Sequence, residues 1–210
     1  MRKSGAPMGS YNCVLYDAED ALSMAIARRL LKEYFAGYSH RKASEDQGGK
    51  ESVRKKMNKY IERAQLKPFL ILVDQDREKC PLVVAQHFLK AAKQPCFPPK
   101  MIFAVATREI EAWLLGDEVG LSAFLGVSRA KWPQSPETLP KPKRALVKIA
   151  QKSRKYRAEI CPEEPKRVGP GYNDTLAEFA RKHWNFHKAA ANCPSLRHLI
   201  DKLNHLKPAT

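Results

Sequence analysis

The sequence predicts an α/β fold, a mostly parallel sheet flanked by helices. Three short apolar segments, at 11–16, 69–73 and 101–106, have the length and composition of buried strands. Segments whose apolar residues recur at helical spacing lie between and after them. Alternation of strands and helices along a chain is typical of a parallel sheet whose strands are joined by helical crossovers.

The first third of the chain contains one of these strands. Tyr11 to Tyr16 is expected to form it, and Ala21 to Phe35 follows as a helix with Arg and Lys on its outer face. The polar stretch from His40 to Lys50 contains two adjacent glycines, which predicts a surface loop. Ser52 to Ala64 is expected to form a basic amphipathic helix that leads to the second strand.

The middle of the chain contains the other two strands. Phe69 to Val73 is the clearest strand in the sequence, and Cys80-Pro81 then opens a helix, because proline is favoured in a first turn. Met101 to Ala106 is the third strand. A helix from Glu109 to Leu115 follows it, with Trp113 expected in the core. These elements complete an α/β core within residues 1–125.

Residues 126–210 have a different character. Prolines punctuate the connectors, and helices are expected from about Thr175 through His187 and from Ser195 to Leu206. From Lys141 onward there are sixteen Lys and Arg against six Asp and Glu. We therefore predict a basic, mainly helical region at 126–210 that packs on the core.

The charge of the chain predicts a polyanionic partner. The formal net charge is +16 and the isoelectric point is about 9.7. Lys and Arg bind nucleic acid by neutralising phosphates and releasing condensed counterions. A basic surface also serves solubility or contacts an acidic protein, so these alternatives stay open. Nucleic acid, DNA or RNA, is the partner we expect.

The sequence gives no sign of a membrane or secretory protein. No apolar run approaches the roughly 20 residues that span a bilayer. The basic residues near the start are not followed by an apolar stretch, as they are in a secretory signal. We therefore expect a cytoplasmic protein with no membrane partner.

Acidic residues follow each of the three predicted strands. They are Asp17, Glu19 and Asp20 after the first strand, Asp74 and Asp76 after the second, and Glu109 and Glu111 after the third. Ligands of parallel α/β sheets collect beyond the carboxyl ends of the strands, so these carboxylates are expected to converge. Clustered carboxylates repel one another unless a cation lies between them, and their hard oxygens suit Mg²⁺ or Mn²⁺. The alternative is structural, with Asp74 capping a turn and Asp76 solvated.

The same residues resemble the acidic signature of TOPRIM domains, in which a Glu follows the first strand and Asp-x-Asp follows a later one. More narrowly, the chain resembles small stand-alone TOPRIM-like proteins of bacteria, related to the overcoming-lysogenization-defect nucleases. These are often encoded beside an ABC- or SMC-type ATPase in phage-defence loci. The likeness covers roughly residues 10–125. The matching stretches are Glu19-Asp20-Ala-Leu-Ser, Leu72-Val-Asp74-Gln-Asp76 and Arg108-Glu-Ile-Glu111-Ala-Trp113-Leu-Leu-Gly-Asp117.

This resemblance implies roles for individual residues. Glu19, Asp74, Asp76 and Glu111 would be catalytic, and Glu19, Asp74, Asp76 and Asp20 would hold Mg²⁺ or Mn²⁺. The chain has Glu19-Asp20 where the family pattern has Glu-Gly, so a share of the role for Asp17 or Asp20 stays open. An ABC/SMC-type ATPase is the protein partner that the resemblance implies.

The acidic cluster, the basic charge and the resemblance together favour a metal-dependent nuclease that hydrolyses DNA or RNA. The resemblance further implies that it is the effector of a two-component anti-phage system. Lys141, Lys143 and Arg144 are the expected phosphate contacts, because flanking prolines would hold them in an extended, exposed segment. A plain solvated connector is the alternative for that segment. The alternative function is a non-catalytic basic adaptor or sensor that binds nucleic acid and a partner ATPase.

Overall fold

A computed structural model of the protein describes residues 13–45, 48–163 and 168–206. Its centre is a sheet of four parallel strands in the order β2-β1-β3-β4, which confirms the α/β prediction. Tyr11 and Asn12, which belong to the predicted first strand, lie outside the described residues. The strands are β1 (Cys13–Ala18), β2 (Ser39–Lys42), β3 (Phe69–Asp74) and β4 (Met101–Ala106).

Helices connect the strands and form the remainder of the chain. A 3₁₀ turn at Pro136–Thr138 lies between the sixth and seventh of the helices that the described residues form. These helices are α1 (Ala21–Tyr34), α2 (Gly49–Lys55), α3 (Met57–Leu66), α4 (Pro81–Ala91), α5 (Glu111–Gly116), α6 (Glu118–Leu125), α7 (Pro142–Ala150), α8 (Arg157–Ile160), α9 (Tyr172–Lys182), α10 (Phe186–Asn192) and α11 (Pro194–Leu206).

The sheet buries apolar side chains on both faces. Successive strand residues point to opposite faces, so Leu70 and Leu72 of β3 enter a larger core, while Phe69 and Ile71 enter a smaller one. The larger core contains buried side chains of α1, α5, α7, α9, α10 and α11, and the smaller one those of α3 and α4. Because β3 is central and covered on both faces, its apolar pentamer was the plainest signal in the sequence.

The segment predicted as a surface loop after α1 contains a strand instead. Ser39–Lys42 forms β2, which pairs in parallel with β1 at the edge of the sheet. Its four side chains alternate between exposed and half-buried. An edge strand with this exposure can carry polar residues, so the loop prediction for that part of His40 to Lys50 was wrong for lack of an apolar pattern.

Two predicted helices are each divided in the structure. The expected helix at Ser52 to Ala64 is two helices, α2 and α3, which meet at Lys56. The helix expected through His187 ends at Lys182, and α10 begins at Phe186. Amphipathic spacing continues across both breaks, so periodicity alone does not show them.

The expected extended connector at Lys141 to Arg144 is helical. Pro142 occupies the first position of α7, where its missing N–H costs nothing and its fixed φ suits the helix. Lys141 is the N-cap, and Lys143 and Arg144 lie in the first turn. Pro142 therefore marks the start of a helix, and the segment that contains Lys141, Lys143 and Arg144 is not extended.

Helices of residues 126–210 pack on elements of residues 1–125. α9 lies against α1, α11 against β4, and α5 contacts both α7 and α10. Trp113 of α5 is fully buried, as predicted, and its Nε1 donates to Ser195 Oγ at 2.8 Å. Among the described residues, no helix is long and apolar enough to cross a membrane.

Candidate metal centre

The carboxyl ends of β1 and β3 bring two acidic side chains together. Glu19 follows β1, and its Oε1 accepts a hydrogen bond from the backbone N–H of Asp74 at 3.2 Å. Asp74 is the last residue of β3 and is only 6% exposed. Its Oδ1 is buried without a hydrogen-bond partner. An unpaired buried carboxylate oxygen is costly, so this atom is poised for a ligand.

The electrostatics of this pair are unfavourable for two negative charges. Burial raises the pKa of Glu19 to about 7, although the neighbouring Lys50 ammonium acts to lower it. Burial also raises the pKa of Asp74 well above its usual range, and the charges of Glu19 and Glu111 raise it further. The site therefore gains from either protons or a bound cation.

Glu111, in the first turn of α5, is the second buried acid of the site. It is 1% exposed, and its Oε1 accepts from the Tyr172 hydroxyl at 2.7 Å and from Lys143 Nζ at 3.3 Å. Its Oε2 has no partner. Burial raises the pKa of Glu111 despite the lowering effects of Lys143 and Tyr172. Two carboxylates of the site thus each retain an unsatisfied oxygen.

Lys143 is held by two acids. Its backbone N–H donates to Glu109 Oε2 at 2.8 Å, which satisfies a donor of the first turn of α7, and its ammonium pairs with Glu111. Burial acts to lower the pKa of Lys143, but Glu111, Glu109 and Asp74 together raise it above its ordinary value, so the ammonium form is favoured. Lys143 is thus a fixed cation beside the buried carboxylates, not a freely solvated one.

The tips of β3 and β4 adopt strained backbone conformations. Asp76 and Arg108 lie in the left-handed region, at φ 56° and φ 65°. The N–H of Asp76 donates to the carbonyl of Arg108 at 2.8 Å, and Gln75 N–H donates to Ala106 at 2.8 Å. Such conformations cost about 1–3 kcal/mol each and cluster at functional sites. The Asp76 side chain is 54% exposed and pairs with Lys50.

A cleft of about 1240 Å³ opens beside these tips. Asp76, Glu78 and Glu109 are its acidic lining residues. The basic residues that line it are more numerous: Lys50, Arg77, Arg108, Lys141, Lys143, Arg144 and Lys148. A concave surface with this balance concentrates polyanions.

The remaining sequence-predicted acids have other contacts. Asp20 is the N-cap of α1, and its Oδ1 accepts from Ser23 N–H at 2.7 Å. Asp17 is buried on the side of the smaller core, where it accepts a hydrogen bond from the Tyr60 hydroxyl. Burial raises the pKa of Asp17. Both acids therefore have structural partners of their own.

The donor set fits a hard divalent cation. Glu19, Asp74 and Asp76 supply carboxylate oxygens from two neighbouring strand ends, and Asp74 keeps one oxygen unpaired. Within the described residues, however, no three acidic, His or Cys side chains already converge on one point. The three carboxylates would have to move closer together to share an ion, and Asp76 is paired with Lys50.

Sequence reasoning missed two residues of this site and gave a third, Glu109, no role of its own. Lys50 lies in the glycine-containing stretch interpreted as a loop, Tyr172 at the start of α9, and Glu109 before α5 was named only as an acid after the third strand. Their roles rest on contacts that span 26, 61 and 34 residues. The Gly-Gly-Lys at 48–50 and the Pro-Gly turn before Tyr172 were the available local signals.

A protein family matches almost the whole of this arrangement. The family described as "Domain of unknown function (DUF4276)" matches residues 19–204. The chain belongs to this family. The DUF4276 match begins at Glu19 and includes Asp74, Glu111, Lys143 and Tyr172.

Solved and curated proteins add little beyond the DUF4276 assignment. The chain is similar to a structure entitled "C-terminal region of the Burkholderia pseudomallei OLD protein", with a TM-score of 0.45 and 17% identity. The alignment covers 95% of this chain and 100% of that one. A likeness at this level does not by itself establish a shared activity. No protein of curated function matches the chain.

Proposed function

We propose that this DUF4276 protein is a metal-dependent nuclease with a TOPRIM-like core. The observation that carries the proposal is the position of buried, mutually repelling carboxylates beside a cleft lined by seven Lys and Arg. Carboxylates attract a divalent cation, while the basic lining attracts phosphates. A phosphodiester bound in the cleft would contact both the divalent cation and the basic side chains.

Glu19, Asp74 and Asp76 are the residues that would hold Mg²⁺ or Mn²⁺, with Asp20 as a further candidate next to Glu19. The ion, when bound, would activate water and neutralise charge on the phosphoryl oxygens. Glu111 would act through Lys143, with which it forms an ion pair. In the metal-free protein burial raises the pKa of Glu19 to about 7, so Glu19 would release a proton when it binds the ion near neutral pH.

The basic residues would bind and orient the substrate strand. Lys143 would contact the phosphate next to the acids, because Glu109 and Glu111 fix its backbone and its ammonium. Lys141, Arg144 and Lys148 would hold flanking phosphates along α7. Such contacts position a strand without reading its sequence, so DNA and RNA are both candidate substrates.

An ABC/SMC-type ATPase partner and a role in anti-phage defence are part of this proposal. They rest on the resemblance to small stand-alone TOPRIM-like proteins. In that setting the nuclease would be the effector, and the ATPase would control its access to nucleic acid. A cytoplasmic location follows from such a substrate.

A second function, a non-catalytic adaptor or sensor, has one observation in its favour. Lys50 and Lys143 already neutralise Asp76 and Glu111 as ion pairs, as they would in a purely structural network. In that case the basic cleft would bind nucleic acid without cutting it.

A nuclease assay distinguishes the two functions. The purified protein, alone and with its candidate ATPase, is incubated with plasmid DNA, single-stranded DNA and tRNA in Mg²⁺ or Mn²⁺. We expect cleavage that Asp76→Ala and Asp74→Asn abolish and that Asp201→Ala, an exposed acid on α11, leaves intact. Cleavage that persists in folded Asp76→Ala removes the metal-site proposal. Absence of cleavage under all of these conditions, with binding retained, favours the adaptor.

A further inference from the structure

Lys50 is a cation in contact with an acid of the candidate metal centre. It lies in the first turn of α2, and its Nζ forms an ion pair with Asp76 Oδ2. The same ammonium is close enough to Glu19 to act on the pKa of that carboxyl. Lys50 therefore supplies positive charge to acids from the ends of both β1 and β3.

Few buried side chains anchor the short helix that carries Lys50. α2 has seven residues, and its N-cap, Gly48, offers no side-chain hydrogen bond. Gly49 has φ +68°, and there is open space around it. Helices this short are marginal without tertiary contacts, and within α2 only Val53 is buried. Displacement of the Lys50 side chain, or of the first turn, would disturb few buried contacts.

A second acid, Glu78, lines the same two clefts as Lys50. Lys50 and Glu78 both line the main cleft, and both also line a neighbouring cleft of about 220 Å³ that contains Glu51 and His87. Glu78 is 40% exposed and is near His87. A lysine released from Asp76 would thus have a second carboxylate, Glu78, among the residues that line both clefts.

We propose that Lys50 is an internal counter-ion that competes with the divalent cation for Asp76. This inference rests on the proposed metal centre and adds its regulation. In the metal-free chain Lys50 offsets repulsion among the strand-end acids. When the ion binds, Asp76 exchanges Lys50 for it, and the ammonium turns toward the cleft and Glu78. The dissociation constant of the protein for the divalent ion then depends on the strength of the ion pair between Lys50 and Asp76.

Titration calorimetry with Mn²⁺ alone tests the inference at fixed pH and 0.15 M salt. In Lys50→Gln we expect the dissociation constant for Mn²⁺ to fall about 5-fold to 20-fold, because a unit charge next to a divalent ion has been removed. Lys55→Gln, on the same helix, changes the net charge equally but is exposed. Its constant should stay within about 2-fold, since salt screens more distant charges. Lys50→Arg should stay near wild type.

Each result has a defined reading. If Lys50→Gln binds Mn²⁺ no more tightly than the wild type, or if Lys55→Gln gains as much, the counter-ion role of Lys50 is wrong while the metal centre stands. If the wild type and Lys50→Gln both fail to bind Mn²⁺, the proposed metal centre itself fails. Circular dichroism before each titration confirms that the variants are folded, and Lys50→Arg supplies a conservative second variant.

Discussion

The Tyr172 hydroxyl donates a hydrogen bond of 2.7 Å to Oε1 of Glu111. Tyr172 begins α9 and Glu111 begins α5, so a helix of the basic region fixes an acid of the candidate centre. Both side chains are buried, at 2% and 1% exposure. The helical region therefore contributes to the geometry of the site as well as to its charge.

Tyr172→Phe should lower stability and shift the pH dependence of cleavage. Loss of a hydrogen bond to a buried carboxylate costs about 1–2 kcal/mol. The pKa of Glu111 should also rise, because that hydrogen bond acts to lower it. We expect the acidic limb of the pH–rate profile to move to higher pH.

Tyr60→Phe removes a comparable hydrogen bond to Asp17 and should lower stability only. An unchanged profile in Tyr172→Phe would argue that Glu111 does not act in its ionised form.

Asp74→Asn should stabilise the metal-free protein while removing cleavage. The carboxylate of Asp74 is buried near Glu19 and Glu111, so neutralising it relieves repulsion. Thermal melting in EDTA at pH 8.5 should give a Tm about 3–6 °C above that of the wild type. For a chain of this length, 1 kcal/mol of added stability raises the Tm by about 2–4 °C. Asp201→Asn is the exposed control. A lower Tm in Asp74→Asn would mean that the repulsion is already compensated.

The metal-free protein should lose stability as the pH rises from about 4.5 to about 7. Glu19 has an ordinary value of 4.5 that folding raises to about 7, so the folded chain binds more protons in this window than the unfolded chain. The contribution of Glu19 to the free energy of unfolding is therefore largest below pH 4.5. As the pH rises to about 7, this contribution should fall by about 1–3 kcal/mol. Urea unfolding in EDTA across this range measures it. Millimolar Mn²⁺ should flatten the dependence, and an equal slope with and without Mn²⁺ would contradict the prediction.

Arg144→Gln and Lys148→Gln should each reduce the salt dependence of nucleic-acid binding. Both residues line the cleft along α7. If each contacts one phosphate of duplex DNA, the slope of log K against log salt should become shallower by about 0.9 per substitution. Fluorescence anisotropy in EDTA gives the slopes without cleavage. Lys152→Gln is the control, because Lys152 is exposed outside the cleft lining. An unchanged slope in Arg144→Gln would place the strand elsewhere.

Much of the sheet could be read from the sequence because its strands differ in burial. β3 is covered on both faces, so Phe69 to Val73 is a continuous apolar run and the acids after it are conspicuous. β2 is an exposed edge strand of Ser, His, Arg and Lys, and such a composition does not differ from that of a loop. The hydrophobic pattern therefore does not predict β2, although β2 pairs with β1 along its whole length.

The site was partly predictable for a similar reason. Strand ends of a parallel sheet meet at one edge, so Glu19 and Asp74 could be placed together from strand positions alone. The pairing of Lys143 with Glu111, and of Lys50 with Asp76, depends on how α7 and α2 pack. Apart from the Gly-Gly-Lys at 48–50, the sequence contains no local signal for these contacts. Lys143 was therefore placed among the solvent-exposed phosphate contacts.

The hydrogen bond between Tyr172 and Glu111 also has a consequence during synthesis. A ribosome translates Glu19, Asp74 and Glu111 well before it reaches Lys143 and Tyr172. Until α7 and α9 emerge from the exit tunnel, Glu111 lacks both of its partners and the basic wall of the cleft is incomplete. A nascent or prematurely terminated chain would consequently carry the acids without the finished site.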